Sequence, residues 1–242
     1  MPRVNIFRMV ERASKKGPSQ TRQVFDTLRA AIVEGRLLPG AKLNIAALAE
    51  EIEVSAGAVR EALAMLEAES LVVSEPARGY RVSPVSSTDL RQLVDARIEI
   101  ERLCLAEAIR KGDLAWEGGI VSAFHRLSRV PDREADAPGQ LNREWANLHA
   151  EFHRALLAAC PNQWLLRMHE MLYQQSERYR QLSVPLGSGA PRDVLAEHRA
   201  LMDAVLIRDV HTAQALIAEH LEMTASVLLA SADGLGAREA RA

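Results

Sequence analysis

The chain has 242 residues, 48% hydrophobic and 26% charged, which excludes a wholly disordered protein and allows one or two domains with a proper core. Its 30 Lys and Arg against 32 Asp and Glu leave a net charge of −2, so composition alone announces neither a nucleic acid nor a membrane partner. Only 4% of residues are aromatic, and the two cysteines, Cys104 and Cys160, cannot build a disulfide framework, which points to a reducing, cytoplasmic setting. No apolar run reaches the ~18–20 residues that a membrane-spanning helix needs. The basic start is not followed by the apolar stretch of a signal peptide. Charge is unevenly shared: residues 1–85 hold 12 Lys and Arg against 10 Asp and Glu, the remainder 18 against 22. Such a split asks whether the first part meets a polyanion.

Residues 1–18, with Arg3, Arg8, Arg12, Lys15 and Lys16, read as a basic flexible tail closed by the breaker Gly17-Pro18-Ser19. Val24, Phe25, Leu28, Ala31 and Ile32 then recur at helical spacing, with Gly35 as a stop. Pro39-Gly40 is a turn in which glycine is free to take a positive φ. Asn44 caps a short helix whose apolar stripe is Ile45, Leu48, Ala49 and Ile52. Ser55 caps the next, with Val59, Leu63 and Leu66 on one side. Leu71-Val72-Val73 and Tyr80-Arg81-Val82 are short β-type runs about the turn Pro76-Ala77-Arg78-Gly79. Three helices and a hairpin within residues 19–84 make a winged helix-turn-helix. Residues 85–88 read as a linker, with Asp89 opening a long helix. From 89 to 231 only helical periodicity is found, interrupted near Gly112, at Gly118-Gly119, across 131–140, at Pro161, across 185–191 and around Asp209. That yields about six helices and no convincing strand, followed by a flexible tail over 232–242. The fold class is mainly α.

In a helix-turn-helix the second helix enters the major groove while the first braces it across the backbone. Here the groove helix starts at Ser55, followed by small residues before Arg60, which points away from the apolar stripe. Ser55 and Arg60 can reach phosphates or base edges, and arginine is well shaped for guanine O6 and N7. Arg78, beside Gly79 at the hairpin tip, is placed to enter a minor groove or grip a phosphate. A surface Arg60 paired with an acidic neighbour, and a hairpin that merely caps the core, fit the same pattern.

The residues from Leu28 to Leu43, with Gly35, Pro39 and Gly40, then Leu48-Ala49, Val54-Ser55, Val59-Arg60-Glu61-Ala62-Leu63 and Pro76-Ala77-Arg78-Gly79-Tyr80-Arg81-Val82, resemble the DNA-binding domain of GntR-family bacterial transcription regulators. The resemblance implies a homodimer on a short palindromic operator of double-stranded DNA, contacted through Ser55, Arg60, Arg78 and Gly79. The sequence departs from the family at Ala56-Gly57-Ala58, where many members carry Arg-Thr-Pro, and at Ala46, which is basic in some. Operator sequence and affinity are therefore not inherited from relatives.

Of seven histidines, His149 and His153 lie four apart on one predicted helix together with Trp145, Leu148, Phe152 and Leu156, so both lean inward. His198 has Leu195, Leu201 and Met202 as helical neighbours, and His220 has Leu216, Ile217 and Met223. Four inward imidazoles on three helices can converge on a divalent transition metal such as zinc or nickel. Each taken singly also fits an ordinary core histidine. The run His149-Ala150-Glu151-Phe152-His153 imitates the metalloprotease helix, but that motif needs Glu directly after the first His as general base, where Ala150 stands. No other nucleophile–base pair stands out, so the sequence does not read as an enzyme.

Ala96-Arg97-Ile98-Glu99-Ile100-Glu101, Phe152-His153-Arg154-Ala155-Leu156, Glu197-His198-Arg199-Ala200-Leu201 and His220-Leu221 are similar to the all-helical FCD effector domain of the FadR subgroup. In that family an Asp and three His hold a divalent metal at the floor of a pocket for small carboxylates. The His positions map onto His153, His198 and His220, and the Asp position falls on His149. The stretch from Trp145 to Cys160, with Tyr173, Gln174 and Arg178-Tyr179-Arg180, resembles the branch of CsiR-type repressors, which implies a dicarboxylate such as glutarate. Four neutral imidazoles leave a dication's +2 charge undiminished, so a carboxylate effector is expected to complete its coordination. Arg97 is the candidate for the effector's far end, or else it pairs with Glu101 one turn on. The expectation is a ligand-responsive repressor, a bacterial cytoplasmic protein found at the nucleoid when bound to DNA. A regulator that senses the metal itself, or a metal-dependent enzyme using the histidines, are the alternatives.

Overall fold

The computed structural model describes residues 19–76, 78–134, 136, 141–183 and 192–230. The tails expected over 1–18 and 232–242, residues 135 and 137–140 of the break across 131–140, the break across 185–191 and Ala77 of the wing turn lie outside them. The chain divides into two compact units between Val85 and Ser86.

The first unit comprises α1 (Gln20–Val33), β1 (Lys42–Leu43), α2 (Ile45–Ile52), α3 (Ala56–Ala68), β2 (Val72–Glu75) and β3 (Gly79–Val82). Each helix starts where a short polar side chain can satisfy an otherwise unpaired N–H. The side chains of Ser19, Asn44 and Ser55 accept from the amides of Arg22, Ala47 and Ala58. Val24, Phe25 and Leu28 of α1 pack with Val59, Leu63 and Leu66 of α3, and Leu71, Val72 and Val82 seal the sheet side. Burying each large side chain contributes about 1.5–3 kcal/mol. The sheet is antiparallel in the order β1-β3-β2, pairing Leu43 with Tyr80 and Val73 with Arg81. Strand β1 goes beyond the expected hairpin. It forms because Gly40, at φ 76°, turns the chain so that its N–H reaches the Val82 carbonyl at 3.0 Å, while Val82 donates to Ala41 at 2.9 Å. Gly79, at φ 86°, makes the corresponding left-handed step at the wing, one that a side chain would strain.

The second unit holds six helices among the described residues: α4 (Ser87–Lys111), α5 (Leu114–Leu127), α6 (Arg143–Leu157), α7 (Gln163–Ser183), α8 (Val194–Leu206) and α9 (Val210–Ala230). Helix α4 begins two residues before the expected Asp89, because the Ser86 side chain accepts the Asp89 amide at 3.0 Å. It packs against α7 and α9, α5 packs on α6, and α8 on α9. The break at Gly112 is present, and the position demands glycine because a Cβ there would sit 1.9 Å from the Trp116 ring. The break expected at Gly118-Gly119 is absent. Two glycines cost a helix about 1 kcal/mol each, but Trp116, Ile120, Ala123, Phe124 and Leu127 bury one face of α5 and outweigh that cost. The only strand-like pairing in this unit, among the described residues, is the isolated bridge between Arg133 and Leu141. Cys104 of α4 and Cys160 after α6 are free, buried thiols. Burial, and then the neighbouring Cys160, push the Cys104 thiol up to about 12.

Candidate functional site

Two sets of side chains carry chemistry, one in each unit. In the first, α3 buries Ala58, Val59, Ala62, Leu63 and Leu66 and turns Arg60 outward. The exposed Ser55 caps α3 through its oxygen, accepting from Ala58 at 3.2 Å, and its hydroxyl proton stays available to donate. Arg78 and Gly79 are exposed at the wing tip. The cations of this unit fall into two groups. Arg22, Arg29, Arg36 and Arg81 pair with Asp26, Glu69, Glu34 and Glu75. Among the described residues Lys42, Arg60 and Arg78 have no acidic partner. The paired surface Arg60 that the sequence also allowed is not what is seen.

In the second unit α6 carries His149 and His153, α8 carries His198 and α9 carries His220, and all four are buried. One ring nitrogen from each comes within 4.8 Å of the others. Ring centroids lie 4.5 Å apart for His149 and His153 and 4.6 Å for His198 and His220. Among the described residues, neither nitrogen of His153 nor of His198 has a hydrogen-bond partner. Leaving such atoms buried costs about 1–3 kcal/mol each unless something binds them, and a cluster of neutral imidazoles suits a divalent transition metal. Burial, the first cause, and then nearby positive charge hold His149, His153 and His198 well below the usual histidine range. Burial lowers His220 as well, against the opposing pull of Glu197. Neutral rings are the form that ligates.

Charged groups surround the cluster. The His220 Nδ1 lies 2.8 Å from Glu197 Oε2. Arg192 clasps the same carboxylate through Nε and Nη2, both at 2.6 Å. Burial raises the Glu197 carboxyl, but the hydrogen bonds from His220 and Arg192 outweigh this and hold it at about 2. On the other side, Arg180 Nη1 lies 3.0 Å and Tyr173 Oη 3.3 Å from His149 Nδ1, and Trp145 stacks on that ring at 4.8 Å. Arg97, Tyr173, Arg180 and Arg192 line, with His149, His153 and His220, a cavity of about 150 Å³. Arg97 makes the ion pair with Glu101 that the sequence allowed, Nε at 3.0 Å and Nη2 at 2.5 Å, and donates through Nη1 to Ser176 at 2.7 Å. Each terminal nitrogen keeps a further N–H. Burial works against the Glu101 charge, but Arg97, followed by His169 at 3.5 Å, prevails and holds its carboxyl at about 2.

Several of these groups escaped the sequence reading. Glu197 precedes His198 directly, and that adjacency was its only signal. Arg192 follows a helix break with no periodicity to place it. His169, on α7, meets Glu101 of α4 only in the fold.

Residues 20–82 match the family described as bacterial regulatory proteins, gntR family, and residues 92–223 match the FCD domain. HTH-type transcriptional regulator BphR of Paraburkholderia xenovorans (strain LB400), itself uncharacterized, is 41% identical over 84% of this chain and 83% of its own length. The HTH-type transcriptional repressor GlaR of Escherichia coli (strain K12) is 34% identical over 80% of this chain and 89% of its own. In fold, the chain is similar to E. coli McbR/YncC, with a TM-score of 0.71 at 23% identity over 88% of this chain and 98% of that one. These relatives are transcription regulators rather than enzymes, and no helix among the described residues is long and apolar enough to cross a membrane. The chain belongs to the GntR family of DNA-binding bacterial transcription regulators and carries the FCD domain as its second unit.

Proposed function

We propose that the chain is a repressor that binds a palindromic operator as a homodimer and is released by a small organic acid, a dicarboxylate, bound at a divalent metal in the second unit. Ser55, Arg60, Arg78 and Gly79 contact the operator, Arg60 reading base edges and Arg78 the backbone or minor groove. Zinc or nickel is held within the cluster of His149, His153, His198 and His220. The observation that carries the sensing half is this set of buried imidazoles, two of them with no partner for either nitrogen among the described residues. The metal supplies a Lewis-acidic centre for a carboxylate oxygen. Arg97 lines the cavity with N–H groups to spare and receives the far carboxyl group. The acid changes operator affinity only by its different affinity for the two arrangements of the dimer, typically ~1–3 kcal/mol.

Mobility shifts on DNA upstream of the gene test this reading, run with metal-loaded and chelated protein and a series of C3–C6 acids. Metal-loaded protein is expected to retard the DNA and to be released by a dicarboxylate, and chelated protein to ignore it. Release by metal alone, with no response to any acid, would replace the reading by metal sensing.

A further inference from the structure

His149 and His220 face one another across the cluster but are held by opposite kinds of partner, and the difference decides which ring nitrogen keeps a proton. A neutral imidazole has one N–H and one lone pair, and whatever binds one nitrogen sets the state of the other. At His220 the nearest partner of Nδ1 is the Glu197 carboxylate, which Arg192 clasps through both oxygens and which only accepts. Arg192 Nη2 also lies 3.2 Å away, but its two hydrogens go to Glu197 Oε2 and the His220 carbonyl. Nδ1 therefore donates, and Nε2 offers a lone pair. This carboxylate–histidine arrangement is the one that orients a metal-binding ring.

At His149 the polarity is reversed. Arg180 can only donate, and its Nη1 lies 3.0 Å from Nδ1. The Tyr173 hydroxyl, 3.3 Å away, can donate or accept and so follows the state that Arg180 sets. A guanidinium has no acceptor to offer, so Nδ1 is the acceptor and the proton of the neutral ring sits on Nε2. A nitrogen that carries a proton has no lone pair for a metal. Arg180 is itself fixed in place by Glu177 of the same helix.

We propose that the four histidines are not four equal ligands: His153, His198 and His220 hold the metal, and His149, kept in the Nε2–H form by Arg180, donates a hydrogen bond to the anionic oxygen of the effector. The proposal rests on the metal reading above and assigns the division of labour within it. Three neutral ligands leave the full +2 charge and a position for the effector, and a neighbouring N–H makes that position selective for an oxygen acceptor.

The test uses chelated full-length protein titrated with Co(II) as the probe. His149→Ala is expected to bind one Co(II) per chain with an affinity within ~10-fold of the parent, and His153→Ala and His198→Ala to lose more than the ~10–100-fold that removing an outer hydrogen-bond partner costs. Two-dimensional ¹H–¹⁵N correlation of the histidine rings in the unsubstituted protein gives a readout that no folding defect can disturb. The His149 Nε2 proton is expected to persist when Zn(II) is added, with Nδ1 remaining the unprotonated nitrogen. Loss of that proton on metal addition, or a His149→Ala affinity as low as that of His153→Ala, overturns the proposal. A parent that binds no Co(II) at all overturns the metal reading beneath it instead.

Discussion

The two units solve the problem of placing charge in opposite ways. In the first, the core from Val24 to Val82 is apolar, and Arg60 and Arg78, the cations proposed to meet DNA, stand in solvent without acidic partners among the described residues. In the second, Arg97, Glu101, His149, His153, His169, His198 and His220 are all buried and depend on one another. A surface that meets a polyanion needs only exposed, uncommitted positive charge, because the phosphates bring the counter-charge. A pocket for a small ligand must place its polar groups in a medium where each unpaired one is costly. Failure therefore takes different forms: loss of binding in the first unit, loss of stability in the second.

The contrast is broken most severely at Glu101. Glu101→Ala leaves Arg97 buried without its counter-ion and is expected to cost about 3–5 kcal/mol, read as a lowered melting temperature of the second unit by calorimetry. Should that substitution prove neutral, the buried network is not a structural support. Acid acts on the same group. Its carboxyl sits at about 2 in the folded chain against an ordinary value of 4.5. Its contribution is therefore complete above pH 4.5 and lost as the pH falls towards 2, on the order of 3 kcal/mol in all; urea unfolding midpoints across that range would show it, and a flat profile would count against it.

In the first unit the expected effects lie on DNA. Arg60→Ala should weaken the specific complex by ~1–3 kcal/mol with unchanged melting, and Arg78→Ala should lower the salt dependence of binding by about one released ion. A melting shift larger than the binding loss would assign Arg60 to the core instead. Smaller still, Asn44→Ala removes the cap on the Ala47 amide and should cost about 1 kcal/mol. Asp26→Ala, which breaks an exposed pair with Arg22, should stay within ~0.5 kcal/mol by the same urea measurement. Comparable losses at Asp26 and Glu101 would erase the distinction between the units.

How much of this was legible in sequence depends on whether the cause is local. Amphipathic spacing and short polar caps act within one turn, so α1, α2, α3 and the mainly helical second unit could be read directly. The two-residue β1 could not, since two residues have no period and its pairing to β3 is a long-range event. Gly118-Gly119 misled because helix propensity is a weak local preference that the packing of Ile120 and Phe124 overrides. The i,i+4 pair His149 and His153 was visible for the same local reason, whereas Arg180 beside His149 and Arg192 beside His220 come from helices and segments that only the fold brings near. The tautomers of the rings depend on those distant partners, so no reading of spacing could distinguish His149 from its three neighbours.

The buried thiol of Cys104, held near 12, has a practical corollary. A sulfhydryl that ionises so reluctantly is nearly inert to alkylating reagents at neutral pH while the helices stay closed. Its labelling rate therefore counts opening events of the effector-binding half, a clock that slows whenever a bound molecule tightens the bundle.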